Sequence, residues 1–112
     1  MRILAIEREL TPPGATIPAD LYRKEAAEVW ALQKQGVIRD IWFTIQDRHA
    51  VVMLECPNAA EARQQLAALP LVRAGLIDFT VHELATYDGY ERLFSPGGPA
   101  GPVPKPEEPP EY

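Results

Sequence analysis

The sequence predicts one α+β domain of βαββαβ order, and three observations carry that prediction. At 112 residues the chain has room for a single hydrophobic core, since domains commonly take about 100–150 residues. Four short runs rich in β-branched and aromatic residues are interleaved with two stretches of helical spacing. An apolar fraction of 46% with 24% charged residues is ordinary for a globular protein.

The first strand is RILAIE, residues 2–7, and the LTPPGATIP that follows can continue neither helix nor strand. A helix is expected from Pro18 to Gln35. Pro18 suits a first turn, Gly36 is a stop signal, and Leu21, Ala26, Val29 and Leu32 share one face. VIRDIWFTI (37–45) and AVVMLEC (50–56) read as a hairpin. A two-residue turn at Asp47 and Arg48 would set Ile45 opposite Ala50, Trp42 opposite Met53 and Asp40 opposite Glu55. Asn58 followed by Glu61 is a capping-box pattern opening a second helix, which Pro70 ends after Leu69. LIDFTVHEL (76–84) is the fourth strand. This order leads to a ferredoxin-like antiparallel sheet with spatial order 4-1-3-2. Residues 1–94 form the domain. Seven of the twelve prolines lie from Pro96 onward, so residues 95–112 are expected to be an extended Pro/Gly-rich tail. Within YDGYERLF (87–94), Tyr90, Leu93 and Phe94 are placed to grip the body or a neighbouring subunit.

Alternation splits the strands into two faces. One collects Leu4, Ile6, Ile41, Phe43, Ile45, Val52, Leu54, Ile77, Phe79 and Val81, and belongs under the helices. The other carries Ile3, Ala5, Glu7, Ile38, Asp40, Trp42, Thr44, Val51, Met53, Glu55, Asp78, Thr80, His82 and Leu84. That second face is too apolar around Trp42, Met53, Ile3 and Ile38 to stay wet, so a second subunit is expected to cover it. A small-molecule cavity would then lie between two facing sheets.

A net charge of −5 argues against a role built on neutralising phosphates, so no nucleic acid is expected as partner. Charge at Glu7 interrupts the N-terminal apolar run before it reaches the length of a signal peptide or membrane span. No membrane contact and a cytoplasmic location follow. The lone Cys56, in an apolar run, reads as a buried inert thiol. No zinc spacing, phosphate loop or serine elbow is present, and no metal or cofactor is expected.

The run LQKQGVIRDIW, the acid-ended strand VVMLE, then LPL and DFTVHEL resemble the muconolactone isomerase family in type, order and spacing over about residues 24–84. The resemblance implies a dimeric α+β barrel, often built into larger rings, and an isomerase that moves a double bond within a lactone by proton transfer. It maps family positions onto Glu25, Arg39, Trp42 and Glu55. Asp40 stands where the family usually has a histidine and His82 where it does not, so the proton-handling set is not kept residue for residue. The first strand, with Glu7 and Arg8, and the proline-rich tail lack a clear counterpart.

The antiparallel order is expected to gather Asp40, Glu55 and His82 at one end of the sheet as a catalytic set. Two opposed carboxyls in a covered cavity would share a proton, and His82 could act as base or shuttle. The bland alternative leaves both acids at a wet sheet end, and a metal held by the three is a further possibility. Trp42, Met53, Glu7, Thr80 and Arg39 are expected to bind substrate; for Arg39 an ion pair with Glu25 competes with that role. The function expected is a cofactor-free isomerase or related proton-transfer enzyme, acting on a small lactone or unsaturated acid. A non-catalytic binding or assembly subunit, and more weakly a cofactor-independent oxygenase, would suit the same architecture.

Overall fold

Residues 19–34 contain no glycine or proline and are dominated by Ala, Leu, Glu and Lys, the residues that lose least freedom in a helix. In the computed structural model, which describes residues 1–95, they form α1, Ala19–Lys34. Asp20 in its first turn and Lys34 in its last complement the helix dipole. Gly36, at φ +78°, ends the helix in a conformation that a Cβ would disfavour. Asn58 caps α2, Ala59–Ala67, by accepting the Glu61 N–H at 2.9 Å. Pro70 does not simply stop this helix. It begins a separate turn, α3, Pro70–Arg73, where its missing N–H costs nothing.

The strands are β1 (Arg2–Glu9), β2 (Ile38–Phe43), β3 (Ala50–Glu55) and β4 (Ile77–Glu83). They make one antiparallel sheet of order β2-β3-β1-β4, which is the expected 4-1-3-2 seen from the other edge. The helices cover one face, and Ile3, Ala5, Ile38, Val52 and Leu54 pack there with Leu32, Ala62 and Leu66. No helix of the described residues is long and apolar enough to cross a membrane. Cys56 is buried, as expected, and burial pushes its thiol pKa up. The tail beyond Ser95 lies outside the described residues.

Three expectations are overturned, each for an identifiable reason. In β1 the core side is Ile3 and Ala5, both fully buried, and Leu4 and Ile6 face away from the helices. Residues 3–6 are apolar without a break, so alternation alone leaves the sign of the two faces open. Glu7 therefore points to the helix side. In β2 the pairing runs Ile38↔Leu54 and then Asp40↔Met53, so Arg39 is an extra residue in a bulge. The bulge puts Ile38 in the core while Asp40 and Trp42 stay on the open face. The hairpin is also looser than expected. Thr44 N–H donates to His49 O at 2.9 Å and His49 N–H to Thr44 Oγ1 at 3.0 Å. Of the loop residues between them, only Arg48 takes a positive φ, +53°. A tight type I′ turn needs two such residues, and Asp-Arg supplies neither Gly nor Asn. Phe43 thus pairs with Ala50, a two-residue shift that keeps each face but leaves Ile45 97% exposed.

Beyond β4 a short 3₁₀ turn, Gly89–Leu93, follows. Tyr90 packs edge-on against Tyr87, with ring centroids 4.8 Å apart. Tyr90, Leu93 and Phe94 are 66–79% exposed, so they do not grip the body of their own chain.

Candidate functional site

A cavity of about 860 Å³ opens between α1 and the helix-covered face of the sheet. It is not where two facing sheets would place one, because the sheet face that borders it is the one under the helices. Its inner wall is apolar: Val29 from α1, Ile41 from β2, Val52 from β3 and Phe79 from β4. Tyr22, Trp30 and Phe43 stand at its edge, each more than half exposed. The loop after β1 closes one end. Thr11 Oγ1 donates to Leu76 O at 2.9 Å, and the neighbouring Leu10 N–H donates to the same carbonyl at 3.0 Å.

Two carboxyls enter this apolar space from opposite layers. Glu7 comes from β1, and its Oε1 accepts the Ala50 N–H at 3.1 Å. That bond satisfies a backbone donor at the first residue of β3 and fixes the carboxyl toward the cavity. Glu25 comes from α1 and is half-buried, with Oε1 accepting the Leu71 N–H at 2.9 Å. Burial raises the Glu25 pKa above the ordinary carboxylate value. The Leu71 hydrogen bond opposes that shift, and the charges of Glu7 and Glu28 add to it. A carboxyl whose pKa is raised by burial thus shares the cavity with one oriented by a backbone N–H.

The rim is charged. Glu9, Asp47 and Arg48 border the opening, and the Arg48 guanidinium lies over the Phe43 ring at 4.6 Å from its centroid. Glu7, Glu9 and His49 bring one possible ligand atom each within 4.8 Å of one another. Among the described residues this is the trio that could hold a metal ion; Asp40, Glu55 and His82 do not form one.

No protein-family model matches the sequence, and no curated protein matches it either. Solved structures do match in three dimensions. Muconolactone isomerase superposes with a TM-score of 0.66 at 21% identity, over 80% of this chain and 93% of the other. The 5-chloro-2-hydroxyhydroquinone dehydrochlorinase from Burkholderia phenoliruptrix AC1100, solved with 2,5-dihydroxybenzoquinone, matches with a TM-score of 0.59 at 17% identity, over 74% and 93%. The chain has the muconolactone isomerase fold.

Within that fold the expected catalytic set is spread out. Asp40, Met53, Leu4 and His82 form one row across the open face, from the outer strand β2 to the outer strand β4. Three strand spacings put about 14 Å between Asp40 and His82. Glu55 is opposite Arg2, not Asp40, and its Oε2 takes the N-terminal ammonium of Met1. That hydrogen bond chiefly holds the Glu55 carboxyl below the usual range. None of the three borders the cavity.

Of the expected binding residues, Glu7 lines the cavity and Trp42 touches its rim from the edge strand. Met53 and Thr80 lie on the open face, and Thr80 Oγ1 donates to Ile6 O at 3.3 Å. Arg39 does not pair with Glu25; displaced by the bulge, it donates from Nε to Gly36 O at 2.8 Å. Glu25, a position the family resemblance singled out, is instead the half-buried acid of the site. Its signal was in the sequence: Tyr22, Glu25, Val29 and Leu32 follow helical spacing, so one charged residue interrupts the inward stripe. Glu9, Asp47 and Arg48 carried no such mark, because nothing local places a strand end and a hairpin loop beside the same helix.

Proposed function

We propose that this protein is a proton-transfer enzyme of isomerase type, working on a small unsaturated lactone or acid in the cavity between α1 and the sheet. The observation that carries this reading is the placement of Glu7 and Glu25 in one apolar cavity, Glu7 oriented by the Ala50 N–H and Glu25 with its pKa raised by burial. Moving a double bond next to a carbonyl needs one group to take a proton and one to return it. Glu7, oriented by the Ala50 N–H, takes the proton from the carbon beside the carbonyl. The electron pair of that C–H bond moves into the carbonyl and forms an enolate. Glu25 then delivers its proton to the far carbon of the allylic system, and the double bond moves. Atoms and electrons balance within the substrate, so the step needs no oxidant or reductant. Passage of a proton from Glu7 back to Glu25 through water resets the pair. Arg48 at the rim is suited to stabilise the enolate oxygen.

The same reading takes the open sheet face as the surface where a second copy packs. Leu4, Ile6, Val51 and Met53 are only half-buried there, with Trp42 56% exposed beside them. Sedimentation of the native chain and of Met53→Glu checks this part; a native monomer at micromolar concentration rules it out.

The chemistry is tested by NMR in D₂O, following deuterium uptake at the acidic carbon of a β,γ-unsaturated γ-lactone. Catalysed uptake that is lost in both Glu7→Gln and Glu25→Gln supports the proposal. Uptake no faster than in buffer, or unaffected by either substitution, defeats it.

A further inference from the structure

The charge around the cavity is lopsided. Among the described residues, Glu7, Glu9, Glu25 and Asp47 border it against one cation, Arg48, which is already engaged with Phe43. Glu28 acts on Glu25 from the same helix, and His49 stands beside Glu7 and Glu9. Even with Glu25 protonated and His49 charged, acids outnumber bases. Apolar walls focus that field, because low-dielectric surfaces screen it poorly. A ligand carrying a carboxylate must bring a like charge into this field, in which the acids outnumber Arg48 and His49. An organic cation would be attracted, but an opposite charge beside Glu25 favours its ionised form and removes the proton it must donate.

We infer that the site selects an uncharged ring compound, a lactone without a free carboxylate, and that Glu9 and Asp47 at the rim are the specificity residues that turn anions away. The inference rests on the proton-transfer reading for its exclusion of cations, and it narrows the substrate from lactone or acid to the neutral member of that choice. Glu9 and Asp47 are exposed, so their share of the selectivity is sensitive to salt.

The test uses three probes of nearly one shape, benzyl alcohol, benzoate and benzylammonium, titrated at low salt while the Trp30 and Trp42 indole N–H signals are followed by NMR. Benzyl alcohol is expected to bind at least ~tenfold more tightly than benzoate. In the double variant Glu9→Gln with Asp47→Asn, benzoate should come within ~threefold of the alcohol while alcohol binding is unchanged. In the native protein, raising the salt to about 0.5 M should likewise narrow the gap. Benzoate bound as tightly as the alcohol by the native protein, a gap untouched by the double variant, benzylammonium preferred ~tenfold over the alcohol, or no saturable binding of any probe overturns the inference. The probes carry no acidic C–H beside a carbonyl, so selectivity is measured apart from chemistry. Selectivity without deuterium uptake on the lactone would remove the catalytic reading alone.

Discussion

Replacing Glu7 separates the chemical from the structural role of one carboxyl. In Glu7→Gln the amide oxygen still accepts the Ala50 N–H, now made at 3.1 Å by Oε1, so the backbone donor stays satisfied and stability should change by less than about 0.5 kcal/mol. Glu7→Ala removes the acceptor from a half-buried N–H and should cost about 1–3 kcal/mol. Both substitutions remove the proton acceptor, and loss of a positioned general base slows a reaction by about 10²–10⁴-fold, or roughly 3–5 kcal/mol of barrier. Glu7 also raises the Glu25 pKa by its charge, so the Glu25 carboxyl should titrate at lower pH in either variant. Urea denaturation, deuterium uptake on a γ-lactone and carboxyl-carbon NMR of Glu25 measure the three effects independently. The reasoning fails if Glu7→Gln keeps native uptake, or if it is as unstable as Glu7→Ala, since the first denies the chemistry and the second the hydrogen-bond account.

Glu25 binds its proton more tightly folded than unfolded, so its burial costs stability as pH rises from the unfolded value of about 4.5 through the raised folded one. Glu25→Gln, which can keep the Leu71 N–H bond, should therefore unfold at higher temperature than the native chain at pH 7 and show no such advantage at pH 4; calorimetry at the two pH values decides it. Glu55 has the opposite sign. Its lowered pKa means that the Met1 ammonium contact stabilises the fold above the unfolded value and is lost as pH falls through the folded one. A pH series on Glu55→Gln should show a deficit at neutral pH that disappears in acid. Leu54 is fully buried in the centre of the core, and Leu54→Ala should cost about 3–5 kcal/mol in chemical denaturation. Asn58→Ala removes the side-chain cap on α2 and should cost about 1 kcal/mol, measurable in the same way.

The ends and types of the main elements were legible because their signals are local. Gly36 after a run of helix formers, Asn58 with Glu61, and the β-branched runs each act through nearby backbone, and sequence order then limits the sheet to few topologies. The faces were harder. Residues 3–6 are apolar on both sides, and the Arg39 bulge moves Ile38 out of phase with Asp40. Alternation assumes an unbroken pleat, and one inserted residue inverts everything on one side of it.

The site depended on those faces, so it moved with them. Alternation through an unbroken pleat gathers Asp40, Glu55 and His82 at one sheet end and sets Glu7 on the same open face as a binding residue. The register instead sets Asp40 and His82 on opposite edges and ties Glu55 to the chain's own N-terminus. The sequence by itself determined the βαββαβ order, the helix caps and the presence of a carboxyl in the inward stripe of α1. Only the tertiary structure decided which face of β1 is buried, and hence that Glu7 meets Glu25. That meeting depends on packing between residues eighteen positions apart on different layers, where no local periodicity carries the information.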